Sequence, residues 1–125
     1  NHMGSRFTED REGMTVVLDE MRGAGLFFID SRTTGGSVGY DLARRLGVPT
    51  ARRDVFLDNV RDEGLIAVQI RKLARLARRR GSAIGICHPH PTTLAALRRA
   101  AADFREAGVE VVPVSRLVGK VQVSP

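Results

Sequence analysis

The stretch at residues 26–37 reads LFFIDSRTTGGS and decides how the chain folds. Its first four residues are apolar, and the fifth, Asp30, is an acid. A short apolar run that stops at polar and glycine residues is typical of a buried β-strand. In α/β proteins ligands bind at the carboxyl ends of parallel strands, so an acid at that point is a candidate functional group. We therefore predict a strand over residues 26–30 that ends at a candidate site.

Helix and strand patterns alternate on both sides of this stretch. Apolar residues at helical spacing predict helices over residues 9–22, 37–47, 62–80 and 91–107. Further apolar runs predict strands over residues 50–54, 82–88 and 109–113. Thr8 and Ser37 are the predicted N-caps of the first two helices, and residues 55–59 are predicted as a loop. Alternation of this kind predicts βαβ units and a parallel sheet or barrel. Four strands do not close a barrel, which needs about eight.

Length and composition bound the class of protein. The chain has 125 residues, 42% of them hydrophobic, which suits one domain or part of a larger one. The net charge of +6 invites a nucleic-acid interpretation. The excess is mostly arginine on helix faces, without interleaved aromatic residues to stack on bases, so we predict no nucleic-acid partner. A single cysteine, Cys87, excludes an intrachain disulfide, and no apolar run reaches the ~18 residues of a membrane span.

Three titratable groups follow the predicted strands. Asp30, Asp54 and His88 stand at the carboxyl ends of the first, second and third strand. If the strands are parallel, these ends share one side of the sheet. Two carboxylates and a histidine suit a divalent metal or general acid–base catalysis. The alternative is that each residue caps the turn or helix that follows it, and the sequence leaves both interpretations open.

Three other features give weaker signals of function. The loop at residues 31–37 resembles a phosphate cradle before a helix, although it lacks the lysine and glycine spacing of a P-loop. Cys87 and His88 are adjacent in a strand and point to opposite faces, which argues against a thiol–imidazole pair. His90 lies between two prolines, where we expect an exposed loop residue near a substrate at most.

Several segments together resemble the divergent polysaccharide deacetylase family of bacteria, which is related to the chitin-type deacetylases. They are NHMGSRFT at 1–8, FIDSRTT at 28–34, RDVFLDN at 53–59, GSAI at 81–84 with His88-Pro89, and VPVS at 112–115. The resemblance extends to about Val118. Cys87 is a departure, because the family usually has glycine before its histidine.

The resemblance implies the fold. We expect an α/β chain of parallel βα units that forms about half of a distorted (β/α) polysaccharide-deacetylase-like barrel. Residues 1–125 would be a single partial domain, its C-terminal half, with an uncertain tail at 119–125. The opening five residues look like the remnant of an expression tag, but the resemblance implies that they are native. The family's N-terminal half, with an Asp-Asp pair that completes a metal site, would be missing from this chain.

The resemblance also implies a chemistry, namely metal-dependent hydrolysis of acetyl groups on a glycan. His2 would be a ligand of a divalent metal, with zinc as the expected ion, Asp30 an active-site carboxylate, and His88 the acid. Asp54 would complete the catalytic set, with Arg53 beside it as a charged partner. The remaining residues expected to contact substrate are Ser31, Arg32, Thr33, Asp58 and Asn59.

Two other functions stay open at this point. The chain could be a family member that binds a glycan or metal without turnover, or a small α/β domain that binds phosphate or a nucleotide through residues 33–37. The family resemblance implies a glycan partner and a periplasmic or secreted location. The sequence does not reveal the oligomeric state, but a half barrel would expose two sheet edges, so we predict low stability or self-association.

Overall fold

The computed structural model describes residues 4–119, which form two compact units. Within these residues, one unit comprises 4–52 and 113–119, and the other comprises Arg53–Val112. The strands in each unit pair in parallel, which confirms the predicted α/β class built from parallel βα units. None of the helices in the described part of the chain is long and apolar enough to span a bilayer.

The first unit is built around the stretch that opens the sequence analysis. Its elements are a 3₁₀ turn at Phe7–Glu9, α1 (Arg11–Gly23), β1 (Phe28–Asp30), α2 (Gly39–Arg45), β2 (Thr50–Arg52) and a 3₁₀ turn at Val114–Arg116. Strands β1 and β2 pair with Phe28 opposite Thr50 and Asp30 opposite Arg52. The core between helices and strands is apolar and consists of Met14, Leu18, Phe28, Leu42, Ala43 and Val48.

The second unit repeats the arrangement with shorter strands. Its elements are β3 (Val55–Phe56), α3 (Glu63–Arg80), β4 (Gly85–Ile86), α4 (Pro91–Arg99) and α5 (Ala101–Glu106). Asp62 caps α3 by accepting a hydrogen bond from the Leu65 amide, and Gly81 ends the helix in a left-handed conformation. The predicted apolar stripe of α3 is confirmed by burial of Ile66, Ile70 and Ala74.

Several predicted boundaries are wrong for identifiable reasons. Asp10, not Thr8, caps α1, because its carboxylate accepts from the Glu12 and Gly13 amides at 3.0 and 3.2 Å. Residues 109–113 form no strand, and the predicted helix over 91–107 is divided into α4 and α5 at Ala100. The N-cap of α2 is Val38, although the Ser37 hydroxyl accepts a hydrogen bond from the Gly39 amide at 3.3 Å.

Candidate active site

The register of β3 and β4 brings an acid and a histidine together. Val55 pairs with Gly85 and Phe56 with Ile86, and the Leu57 amide donates to the Ile86 carbonyl at 2.9 Å. Continuing this register by two residues places Asp58 opposite His88. Both residues therefore lie just beyond the carboxyl ends of two parallel strands, where α/β proteins place their ligand sites.

Asp58 is buried and accepts hydrogen bonds on both carboxylate oxygens. Oδ2 accepts from the His88 backbone amide at 2.7 Å and from the Thr93 hydroxyl at 2.8 Å. Oδ1 lies 3.0 Å from the ring nitrogen Nδ1 of His88. Thr93 stands in the first turns of α4, so the carboxylate ties the end of β4 to the start of that helix. The arrangement fixes the backbone and the ring of His88 at once.

The environment of Asp58 keeps it ionised. Burial raises the pKa of the carboxyl group, but the hydrogen bonds from the His88 amide, the Thr93 hydroxyl and the His88 ring outweigh burial and lower the pKa overall. A carboxylate facing Nδ1 holds the proton of a neutral imidazole on Nδ1, which makes Nε2 the basic nitrogen. The ring can then act at Nε2, as a proton carrier or as a metal ligand.

Aromatic rings line the approach to His88. The Phe56 ring lies 5.7 Å from the His88 ring, centroid to centroid, and the His90 ring stacks on the His88 ring at a centroid distance of 5.1 Å. The guanidinium of Arg53 sits over the Phe56 ring at 5.5 Å. The His88 side chain is 36% exposed whereas that of Asp58 is fully buried, so the histidine is the member of the pair that a substrate can reach.

Asp58, His88 and His90 form a group that could hold a metal ion. Their ligand atoms all lie within 4.8 Å of one another. Imidazole nitrogens and carboxylate oxygens are usual zinc ligands. Asp58 already accepts three hydrogen bonds, which suits it to supporting a ligating His88 from behind. The donor set of the two histidines therefore fits a divalent metal.

Asp54 has contacts at the opposite end of the same strand pair. It follows β2, as predicted, but its Oδ2 accepts from the Ile84 amide at 2.8 Å, next to the start of β4. Its Oδ1 lies 3.6 Å from the guanidinium of Arg80 at the end of α3. Because β3 and β4 run parallel, Asp54 marks their amino ends and His88 their carboxyl ends. The expectation that these two residues share one end of the strands is wrong for this pair of strands.

Asp30 is 1% exposed and holds the loop that follows β1. Its Oδ1 accepts from the Arg32 amide at 2.8 Å, and its Oδ2 accepts from the Ser37 hydroxyl at 2.7 Å and the Tyr40 amide at 3.0 Å. The Tyr40 amide belongs to the first turn of α2, so Asp30 supplies the negative charge that this helix terminus favours. These contacts match the alternative that Asp30 caps the helix after it.

The hydroxyl groups of residues 33–37 already have hydrogen-bond partners, which argues against the phosphate-cradle interpretation. The Thr34 hydroxyl donates to the Glu9 carboxylate, and the Thr33 hydroxyl is 2.7 Å from that of Ser5. The hydroxyl of Ser37 already donates to Asp30. A phosphate here would meet two carboxylates, those of Glu9 and Asp30, which disfavours an anion.

The remaining predicted site residues differ in how far they are buried. Ser31 is buried, Arg32 is half-buried with φ 47°, and Thr33 and Asn59 are exposed. His2, the predicted metal ligand, lies outside the described residues. Cys87 packs partly buried against the core of the second unit, and burial together with the nearby Asp58 charge raises the pKa of its thiol.

The sequence predicts His88 as the acid and Asp58 as a substrate contact, but it predicts neither their pairing nor a role for Thr93. Residues 55–59 are predicted as a loop, so Asp58 has no predicted strand partner. A signal was present in the pattern Val-Phe-Leu before Asp58 and Ile-Cys before His88, which are apolar runs of similar length ending in a titratable residue. Treating both as strands in register would have paired the two side chains.

The fold and this geometry define an α/β protein of parallel βα units with a carboxylate–histidine pair beyond the strand ends. The model of one family, the divergent polysaccharide deacetylases, matches residues 1–118, and the chain belongs to that family. The family predicted from the sequence is thereby confirmed.

Relatives of known sequence or structure are similar over most of the chain. The chain is 37% identical over 123 residues to the uncharacterized protein YibQ of Escherichia coli K12, and this match covers 98% of the chain and 38% of YibQ. It is 36% identical over 125 residues to an uncharacterized protein of Haemophilus influenzae, of which it spans 44%. The crystal structure of the uncharacterized protein ATU2773 from Agrobacterium tumefaciens matches with a TM-score of 0.90 at 30% identity.

That structural match covers 94% of the chain and 48% of ATU2773. The chain therefore spans less than half the length of each of these relatives. This proportion is consistent with the expected half of a deacetylase-like barrel.

Proposed function

We propose that the chain contributes His88 and Asp58 to the active site of a metal-dependent hydrolase that removes acetyl groups from a glycan. The observation that carries the proposal is the pair itself, a fully buried carboxylate 3.0 Å from Nδ1 of a half-exposed imidazole. Membership of the deacetylase family supports the substrate class. We further propose a periplasmic or secreted location, as the family resemblance implies.

In this reaction His88 carries the proton for the leaving group. Because the ionised Asp58 faces Nδ1 of His88, the Nε2 proton of a protonated ring is the one that can pass to the departing amine or alcohol of the sugar. Asp58 acts through His88 and is a positioning residue. Thr93 and the His88 amide hold Asp58 in turn, so the ring keeps one orientation through the cycle.

A divalent ion, with zinc as the proposed metal, would polarise the acetyl carbonyl and lower the pKa of bound water. His90 is a proposed ligand of this ion. His2, which lies outside the described residues, stays a proposed metal ligand on the family resemblance alone. Arg53 and Phe56 are proposed to contact the sugar, and the position of the Phe56 ring beside His88, with the Arg53 guanidinium over it, supports this. The family resemblance also proposes six further site residues, namely Asp30, Ser31, Arg32, Thr33, Asp54 and Asn59. In the structure, the two acids among them make the hydrogen bonds described above.

A second role for His88 is favoured by one observation, the 4.8 Å grouping of its ligand atom with those of Asp58 and His90. In that role Nε2 of His88 would bind the ion and Asp58 would support it. The two roles use the same nitrogen and exclude one another at any moment. Metal content after His88→Ala separates them, because an acid role leaves the bound metal in place and a ligand role removes it.

The test of the proposed function is acetate release from acetylated glycans by the natural protein that carries this chain. We expect His88→Ala to lower the rate by about 10²-fold to 10⁴-fold, the usual contribution of a positioned acid–base group. Asp58→Asn should lower kcat with little change in KM, because the residue acts on His88 and not on the substrate. Acetate release that persists unchanged in both variants would refute the proposal, and glycan binding without release would favour the non-catalytic alternative.

A further inference from the structure

Helix α3 presents a cationic stripe on the side opposite its buried face. Residues spaced by three and four positions share one side of a helix, and five exposed residues of α3 follow this spacing. They are Leu65, Val68, Lys72, Arg75 and Arg79. The two aliphatic members are largely exposed, Leu65 at 51% and Val68 at 45%. We call these five residues the outward stripe of α3.

The positive charge of this stripe is not balanced by acids on the same helix. Residues 64–80 include six basic residues and no acid. The acid at the start of α3, Glu63, forms an ion pair with Arg99 of α4. Within residues 4–119, neither Lys72, Arg75 nor Arg79 forms an ion pair. The exposed side of α3 is therefore a continuous row of cations that begins with two aliphatic side chains.

We propose that the outward stripe of α3 binds the surface of an anionic phospholipid bilayer. A straight row of basic side chains matches a flat layer of phosphate headgroups, and each cation near such a surface adds to the attraction. Leu65 and Val68 stand in line with the cations, where they can enter the boundary between headgroups and acyl chains. The opposite face of α3 is held in the core by Ile66 and Ile70, so the contact is peripheral.

The same features disfavour a nucleic acid as the partner. Helix α3 carries no aromatic side chain on which a base could stack, and the two exposed aliphatic residues would gain nothing from a phosphate backbone. The proposal concerns a surface formed by α3 and is independent of the chemistry proposed for His88. The membrane proposal can fail while the hydrolase proposal holds, and the reverse is also true.

The test is flotation of the natural protein that carries this chain with vesicles of phosphatidylcholine alone and with vesicles rich in phosphatidylserine, in which bound protein rises with the vesicles and self-associated protein does not. We expect binding to the anionic vesicles, with loss at ~1 M salt, where the Debye length is about 3 Å. Each cation contributes about fivefold to binding, so the variant Lys72→Gln, Arg75→Gln, Arg79→Gln should bind about 100-fold more weakly. Circular dichroism should show an unchanged fold, because all three side chains are exposed.

A matched control removes the same charge elsewhere. The variant Arg11→Gln, Arg45→Gln, Arg105→Gln changes three exposed arginines off α3 and should bind within about fivefold of the unchanged chain. A second variant, Leu65→Ser with Val68→Ser, keeps every charge and should also weaken binding to anionic vesicles. Equal losses in the two charge variants, equal binding to neutral vesicles, or binding to duplex DNA without binding to vesicles would overturn the proposal.

Discussion

Asp58 is the residue on which the candidate site depends. It is 3% exposed and its carboxylate accepts three hydrogen bonds from two structural elements. Charged hydrogen bonds to a buried acceptor are strong, and replacing the acceptor leaves buried donors unsatisfied. The same contacts that orient His88 therefore also stabilise the second unit.

We expect Asp58→Asn to lower the free energy of unfolding by about 1–3 kcal/mol at neutral pH. The folded-state pKa of Asp58 is lowered, so its contribution is present above the unfolded-state pKa of a carboxyl group and is lost as the pH falls through the folded value. The difference between the two proteins should therefore shrink in acid. Urea melts at several pH values measure it.

The exposed residue Asp41 offers a control for this prediction. Asp41→Asn removes the same charge from the first turn of α2 and should change stability by only a few tenths of a kcal/mol. If both variants lose equal stability, or if the loss from Asp58→Asn persists unchanged in acid, the hydrogen-bonded carboxylate is not the source of the stabilisation.

At the scale of the elements, the first residue of α2, Gly39, packs closely against β1. A Cβ added at Gly39 would lie 2.8 Å from the Phe28 ring and 3.3 Å from Oδ2 of Asp30. The first distance is too short for carbon atoms in contact. Gly39 therefore lets α2 approach β1 closely enough for Asp30 to reach the Tyr40 amide.

We expect Gly39→Ala to lower the free energy of unfolding by about 1–3 kcal/mol through overpacking. Gly35 lies in the loop before α2, and a Cβ there would meet nothing within 4 Å. Gly35→Ala should accordingly be close to neutral. Thermal or urea unfolding of the two variants side by side checks the prediction, and equal stabilities would show that the loop can relax away from the Phe28 ring.

How far the elements could be predicted depends on what determines them. Helix α3 was predicted closely, because its apolar period, its cap Asp62 and the terminating Gly81 are all local signals. Strands β3 and β4 have two residues each, and only their partner distinguishes them from loop. The pairing of Asp58 with His88 depends on that partner, since the two residues are 30 positions apart in the chain. Local patterns do not report contacts at such separations.

The predicted strand at residues 109–113 shows the same limit. It is apolar and β-branched, as a strand should be, but Val111 is 72% exposed and the segment has no strand partner within residues 4–119. Intrinsic β-preference is weak without neighbours to pair with. The sequence identifies which segments can be strands, whereas pairing decides which of them are.

At the scale of the whole molecule, the sheet edges are the feature that we expect to limit stability and to favour association. Each described sheet has two strands, so each of these strands has an edge without a strand neighbour among residues 4–119. Large apolar side chains are also exposed, with Val16 at 65% and Leu26 at 53%. Exposed edges and apolar surface favour association with further chains.

We therefore expect the isolated chain to self-associate or to unfold at low denaturant concentration. Light scattering after size-exclusion chromatography at several protein concentrations should show a mass that rises with concentration. A concentration-independent monomer with a sharp thermal transition would contradict this expectation. The relatives are more than twice as long as the matched region, so we expect a longer protein containing the chain to be the more stable species.

The proposed chemistry at Nε2 of His88 requires that Asp58 hold the ring proton on Nδ1. Nitrogen-15 NMR of the histidine side chains tests it most directly, in the chain at neutral pH and in Asp58→Asn. We predict that the neutral His88 ring carries its proton on Nδ1, that this preference is lost in Asp58→Asn, and that zinc perturbs the Nε2 resonance of either His88 or His90. A His88 ring protonated on Nε2, unaffected by Asp58→Asn and by zinc, would contradict the account.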